Sequence, residues 1–475
     1  MFGGNVMGII AAFIVPHPPL ILHEVGRGEE EKIRETRDAY FEVGREIAKI
    51  CPDTIVISSP HATMYADYFH VSPGERATGS FQAFRAPEVV LNEEYDTEFV
   101  KTMERFARKK NYPLGTEGER NPGLDHGTMV PLYFIRKHYG GAKIVRIGLS
   151  GLPLYEHYRV GTIVKKVAEY LDRRVVYIAS GDLSHKLQTY GPYGFAPEGL
   201  EYDKRIMEVC RWAEFDKLFD FSEDFCEKAA ECGHRSFVMM AGALDGMKVQ
   251  AKVYSHQDVT GVGYGVCSFE ATGEDEGRRF LRQREWLEAE EIRAKRMEED
   301  IYVQLARVSV ESYIMSHKRL NVSEAAKELY MKELPEEFLT KRAGAFVSIH
   351  KFGALRGCIG TILPTRENLA QEILQNAISA STEDPRFSAI TERELPYLEI
   401  SVDVLGMPEV VESEKDLDCK KYGVIVTNGR RRGLLLPDLE GVDTVEQQIA
   451  IAKRKAGIDE EEKVSLQRFE VVRHT

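Results

Sequence analysis

Three histidines stand just beyond apolar runs that read as buried β-strands, and a fourth lies in a turn. Residues 9–15 are apolar and stop at Pro16-His17-Pro18-Pro19. Residues 54–57 run into Ser58-Ser59-Pro60-His61, and residues 175–179 lead into Ser180-Gly181-Asp182-Leu183-Ser184-His185. His126 sits in the turn-rich string Asn121-Pro122-Gly123-Leu124-Asp125-His126-Gly127. Imidazole is the commonest side-chain metal ligand and carries protons near neutral pH. Open parallel α/β sheets bind ligands outside the carboxyl ends of their strands. Taken together, the four histidines point to a metal and acid–base site.

Two neutral imidazoles and one carboxylate on one face of a metal leave other positions open, as in non-haem Fe(II) enzymes that bind substrate and dioxygen. His17 and His61 are the candidate ligands, because each follows a strand within a Pro-bracketed turn. The third ligand is Glu231 or Cys232, in Ala230-Glu231-Cys232-Gly233-His234-Arg235-Ser236. The glycine there permits close backbone approach, and an apolar helix from Phe237 offers an N-terminus. A glutamate suits Fe(II) and dioxygen, whereas a thiolate favours softer metals or redox roles. Zinc hydrolysis lacks an HExxH-type motif. Asp125 and Asp182, close in sequence to His126 and His185, could fix histidine tautomers. His23, His70, His138, His157 and His256 read as satisfied polar groups, and Cys51, Cys210, Cys226 and Cys267 as small packing residues.

The elements that must position these groups change character along the chain. Up to residue 272 apolar strands alternate with amphipathic stretches at 32–50, 96–109, 154–172 and 202–212. This implies an α/β domain with a mostly parallel sheet covered on both faces. A further strand is expected at 143–149, with closing strands at 252–254 and 261–269. Residues 273–300 are densely charged and read as a solvated linker helix. From 301 to 475 the order becomes α+β with a largely antiparallel sheet: helices at 301–316, at 366–379 capped by Thr365, and at 444–456, with strands at 345–350, 398–405 and 465–472. A hairpin is expected to pair 423–426 with 434–436 across Asn428-Gly429, placing Arg430, Arg431 and Arg432 at its tip. In Leu355-Arg356-Gly357-Cys358-Ile359-Gly360, an exposed Cys358 near a guanidinium would be nucleophilic or redox-active; the competing reading has Arg356 ordering the loop over a buried Cys358.

The chain has 475 residues, 43% hydrophobic and 29% charged, which implies two or more globular domains. A net charge of −13 argues against a dedicated nucleic-acid binder. Seven cysteines spread along the chain read as reduced thiols, so a cytoplasmic protein is expected. The apolar run ending at Val15 is far shorter than the roughly 20 residues that span a bilayer, so no membrane association is expected. Oligomeric assembly is left open.

The ordered set PHPP, SPHA, DHG, GDLSH and ECG resembles the catalytic subunit of LigB-type extradiol dioxygenases and the related Memo proteins, over roughly the first 270 residues. The resemblance implies His17 and His61 as Fe(II) ligands with Glu231 completing the set, and a catechol-like small-molecule substrate. It also implies His126 and His185 as acid and base; His185 is favoured for removing the phenolic proton and His126 for assisting ring opening. Memo-like relatives carry a cysteine where this chain has Cys232, which leaves zinc or another divalent metal as the alternative. LRGCIG and Asp384-Pro385-Arg386-Phe387 resemble AMMECR-type domains. The fusion of the two modules is similar to the AmmeMemoRadiSam system, which implies a radical-SAM protein partner. Under that implication the chain is a metal-binding component acting on a non-catechol substrate, or a metal-stabilised scaffold without catalysis.

Overall fold

The computed structural model describes residues 7–109, 112–351, 353–439 and 441–475. The chain divides into two compact units, Met1–Arg284 and Glu285–Thr475. The first is built on six strands: β1 (Gly8–Val15), β2 (Thr54–Ser59), β3 (Lys143–Gly148), β4 (Arg174–Ser180), β5 (Met247–Gln257) and β6 (Tyr264–Glu274). They lie in the order β3-β2-β4-β1-β6-β5. The first four are parallel, and β6 and β5 add antiparallel pairs at one edge.

Every residue of β1 and β2 is buried, because helices cover both faces of the sheet. On one face α1 (Arg34–Ile50) and α3 (His126–Arg136) bury Tyr40, Val43, Ile47 and Phe134 against Phe13, Ile55 and Ile57. On the other, α2 (Thr97–Arg108), α4 (Leu154–Tyr170) and α6 (His234–Ala243) pack Phe99, Val164 and Phe237 against Ile9, Ile14 and Val56. Another helix, α5 (Pro197–Trp212), starts earlier than the apolar periodicity indicates, with Pro197 in its first turn. The edge strands β5 and β6 are longer than expected. In β5 half-buried and exposed positions alternate over its first half, so its apolar signal is diluted. A hairpin pairing Arg76–Phe81 with Ala86–Glu94 went unanticipated because both strands are rich in polar and charged residues.

Helix α7 (Phe280–Glu298) spans the division between the units. Its second half is not simply solvated: Ile292 is 5% exposed and Lys295 pairs with Glu399 at 2.5 Å. The second unit holds β7 (Ala345–Lys351), β8 (Ala354–Gly360), β9 (Leu398–Leu405), β10 (Glu409–Val411), β11 (Tyr422–Asn428), β12 (Arg431–Leu435) and β13 (Ser465–His474). They are ordered β8-β7-β9-β13-β11-β12, with β10 beside β13, and all pairs are antiparallel. Helices α8 (Ile301–Ser316) and α9 (Leu369–Thr382) share a core with Val347, Ile349 and Val402, while α10 (Val445–Lys455) packs on the hairpin β11–β12.

Two local expectations need correction. Thr365 does not cap α9; Asn368 does, accepting from the Gln371 amide at 3.0 Å. Thr365 is drawn instead to the buried Glu372, whose carboxylate also receives Thr361 and the Arg366 amide. The hairpin turn is tighter than expected: Asn428 pairs with Arg431, and Gly429 takes φ 61°. Arg431 and Arg432 therefore lie in β12, where Arg431 pairs with Glu462 at 3.0 Å through Nη1.

One close approach is required for the site. A Cβ on Gly181 would lie 2.1 Å from Gly233 Cα, so two backbones cross here with no room for a side chain. Gly181→Ala is expected to destabilise the first unit by about 1–3 kcal/mol and to separate Asp182 from Cys232. Urea unfolding and metal titration of the variant check both effects.

Candidate metal centre

The parallel strands β1, β2 and β4 end on the same edge of the sheet, and the two residues after each end carry the chain over that edge. They deliver His17, His61 and Asp182. His126 arrives separately, as the first residue of α3. His17, His61 and His126 place ligand atoms within 4.8 Å of one another, and so do His17, Asp182 and Cys232. His17 is common to both groups. Its Nε2 is 3.0 Å from His61 Nε2 and 3.7 Å from Cys232 Sγ.

Hydrogen-bond arithmetic fixes the orientation of His17. Ser180 Oγ lies 2.5 Å from the Gly127 carbonyl and 3.0 Å from His17 Nδ1. The hydroxyl has one proton, and a carbonyl can only accept it. Ser180 therefore accepts from Nδ1–H of His17, and Nε2 presents its lone pair to the pocket. The His17 backbone amide donates to Asp182 Oδ1 at 2.7 Å. Tyr40, reaching across from α1, donates to the Pro16 carbonyl and pins the same turn.

Asp125 organises the other two histidines. As the cap of α3 it accepts from the Thr128 amide at 3.0 Å, and it also accepts from Ser59 Oγ at 2.6 Å. Ser59 Oγ in turn receives the His61 amide at 3.2 Å. One carboxylate thus locates His126 through the helix start and His61 through its turn. Behind it, Arg146 is 1% exposed and holds the 119–125 loop through Gly123 and Asn121 carbonyls, with its Nη1 3.6 Å from Asp125. Sequence reasoning missed Arg146 and Ser180. The signal for the first was a lone arginine inside the apolar run 143–149.

Glu231 does not join the ligand-capable groups. Its carboxylate accepts the His234 amide at 2.5 Å and so caps α6, which starts at His234 and not at Phe237. Burial pushes that carboxyl up to about 7. The neighbouring Cys232 faces the pocket, held by the Asp182 amide at 3.3 Å. Burial pushes its thiol well up, so thiolate formation there requires a compensating cation.

Burial lowers His17 and His126, and brings His61 down to about 4, so all three are neutral, ligand-competent imidazoles near pH 7. His185 differs. Burial opposes its charge, but Asp182, 3.7 Å away, and the Ala230 carbonyl outweigh it and hold His185 above the usual histidine range. Its Nδ1 donates to Ala230, which leaves Nε2 toward Asp182. Two aromatic side chains border the centre: Phe84, 5.2 Å from His126, and Tyr193, 5.1 Å from His185, between ring centroids. Of the other histidines, His157 and His256 are satisfied by neighbours, whereas His70 is fully buried with neither ring nitrogen hydrogen-bonded and its Nε2 3.9 Å from Glu119.

In the second unit, Arg356 binds Glu394 and the Ser388 and Ala389 carbonyls, the ordering role expected for it. Cys358 is half-buried, not buried, with Ser348 Oγ 3.2 Å from its sulfur.

Neutral imidazoles and a thiol gathered beyond the parallel strands of an α/β unit fit a metal site, and that unit is joined in the chain to an antiparallel α+β unit. The chain belongs to the LigB family: residues 11–267 match the catalytic LigB subunit of aromatic ring-opening dioxygenase, and residues 303–474 match AMMECR1. A Clostridium acetobutylicum protein, CA_C1420, is 42% identical over 475 residues, 98% of this chain and 99% of its own. A Thermotoga maritima protein is 51% identical over 175 residues, 36% of this chain and 96% of its own. Among solved structures, Pyrococcus horikoshii PH0010 is similar at 29% identity with a TM-score of 0.33, covering 36% of this chain and 88% of its own. Escherichia coli K12 JW3007 is similar at 15% identity with a TM-score of 0.37, covering 55% and 99%. Among the described residues, no helix is long and apolar enough to cross a membrane.

Two expectations follow. Ser180→Ala removes the acceptor that orients His17, and is expected to weaken metal binding about 10- to 100-fold with little change in unfolding midpoint; calorimetric titration with Zn(II) or Fe(II) reads the loss. In the second unit, burial opposes the charge of Glu394, but Arg356 and Lys351 overcome it and bring the carboxyl down to about 2. A depressed carboxylate stabilises the fold above its unfolded pKa and loses that contribution as pH falls. The second unit is therefore expected to lose roughly 3 kcal/mol between about pH 4.5 and 2, and Glu394→Gln to flatten that segment of the stability curve.

Proposed function

We propose that the first unit is a non-haem Fe(II) oxidoreductase of the extradiol type, acting on a small aromatic diol. The observation that carries this reading is the lone pair of His17 Nε2, held 3.0 Å from His61 Nε2 and 3.7 Å from Cys232 Sγ. Ligand atoms about 3 Å apart can share one ion at metal–nitrogen distances of about 2.1 Å. His17, His61 and Cys232 would hold the metal, with Asp182 and His126 within reach of the same centre. Bound there, Fe(II) would supply a site at which diol and dioxygen meet.

The remaining work falls to the protein. His185, its Nδ1 committed to the Ala230 carbonyl, accepts the hydroxyl proton of the diol at Nε2. Asp182 and the Ala230 carbonyl raise the proton affinity of His185, which favours its taking up that proton. His126, whose environment disfavours the cation, is a strong acid once protonated and returns a proton as the ring opens. Phe84 and Tyr193 supply flat ring faces beside His126 and His185 against which an aromatic diol would stack.

A second reading is favoured by Cys232 standing where a carboxylate was expected: thiolate ligation suits softer metals, including zinc. In that case the unit is a metal-binding component that serves a radical-SAM partner on a non-catechol substrate, or a metal-stabilised scaffold. Anaerobic purification followed by metal analysis and oxygen uptake with a panel of catechols separates the readings. Stoichiometric iron, absent from His17→Ala/His61→Ala, together with catechol-dependent oxygen uptake is the expected result. Cys232→Ser is expected to lower metal content and Glu231→Gln to leave it near wild type. Metal without oxygen uptake sinks the dioxygenase reading and leaves the second.

A further inference from the structure

Away from the histidine centre, the second unit carries a thiol in a formed polar setting. On one face of β7 and β8 the chain packs against α9: Val347 and Ile349 are fully buried, and a Cβ on Gly357 would meet the Ala380 carbonyl at 2.0 Å. Cys358 therefore projects to the opposite face. There it is in register with Ser348 on β7, which is in register with Ser401 on β9. Ser348 Oγ donates to Cys358 Sγ at 3.2 Å. Further along the same face, Phe346 joins a small apolar cluster with Ile362, Leu434 and Leu436.

Two ion pairs border the thiol. Asp384 accepts the Cys358 amide at 2.9 Å and pairs with Arg386 at 2.7 Å; Asp403 pairs with Arg473 at 2.8 Å. In both, the carboxylate is buried and the guanidinium is not: the side chains of Asp384 and Asp403 are 3% and 2% exposed, those of Arg386 and Arg473 55% and 45%. Asp403 is in register with Phe346 on β7 and Arg473 with Asp403, so this second pair lies along the same sheet face as Ser348. Arg386 also donates to the Cys358 carbonyl at 3.4 Å. An approaching molecule thus meets cationic N–H edges, with the balancing carboxylates behind them.

We infer that Cys358 is a thiol-exchange site for small anionic disulfides. The Cys358 sulfur, giving up its proton to solvent, attacks one sulfur of the disulfide. A new S–S bond forms, the old one breaks, and the departing sulfur leaves as a thiolate that takes up a proton. One thiol and one disulfide give one mixed disulfide and one thiol, with no other oxidant needed. Arg386 and Arg473 hold the carboxylates of the incoming disulfide, and Ser348 remains hydrogen-bonded to the attacking sulfur.

The test uses the full chain and two disulfide probes, the dianionic 5,5′-dithiobis(2-nitrobenzoate) and the uncharged 2,2′-dithiodipyridine. Rates are resolved for each cysteine by quenching and peptide mass spectrometry, with exposed Cys51 as the internal reference. Relative to Cys51, Cys358 is expected to prefer the anionic probe by about tenfold or more, and to lose that preference as ionic strength rises. Arg386→Gln and Arg473→Gln are each expected to reduce it, and Arg386→Lys to retain most of it. The salt dependence of the wild-type chain reads the same property without a variant that has to fold. A Cys358 selectivity equal to that of Cys51, or one unchanged by salt and by both glutamine variants, overturns the inference.

Discussion

A single hydroxyl proton governs the histidine centre. Ser180 gives it to the Gly127 carbonyl and must then accept from His17 Nδ1, so the other ring nitrogen faces the pocket as a lone pair. The same bond ties the end of β4 to the first turn of α3, where His126 sits. The tautomer of His17 and the placement of His126 are thus decided together. Nothing exposed to solvent could hold them so, because water would compete for the same donor and acceptor; Ser180 is fully buried.

The cost of such a site is the desolvation of its polar groups, and the structure offsets it with local partners. Asp125 is satisfied by Ser59, Thr128 and the start of a helix, and Asp182 by the His17 amide and His185. Arg146, nearly inaccessible, spends its donors on loop carbonyls and Ser72. Half-satisfied networks of this kind would destabilise the fold. His70 stands out against that pattern, fully buried with neither ring nitrogen hydrogen-bonded and only the Glu119 carboxylate 3.9 Å from its Nε2.

The two units treat their cysteines differently. Cys232 is half-buried, its sulfur beside the Asp182 amide and His17, and is suited to hold a cation. Cys358 is half-open on a sheet face beside guanidinium groups. Seven thiols that look alike in sequence therefore divide by environment: Cys210 and Cys267 pack in the core, and Cys51, expected as a packing residue, is exposed at the end of α1 with φ 50°.

Much of the first unit was legible in the sequence, since strands buried on both faces are continuous apolar runs and their ends are marked by Pro, Gly and His. His17 and His61 could be picked out because each sits at a fixed offset from such an end. What escaped, the reach of β5 beyond 252–254 and the Arg76–Phe81 hairpin, exposes alternate residues and dilutes the hydrophobic signal. The choice between Glu231 and Cys232 could not be made from spacing, because adjacent residues in a turn point in different directions. Only the tertiary structure places the two side chains: the Glu231 carboxylate accepts an amide at the start of α6, and Cys232 Sγ lies 3.7 Å from His17 Nε2. The sequence by itself determined which donors exist and which strand ends carry them; long-range packing decided which of them meet.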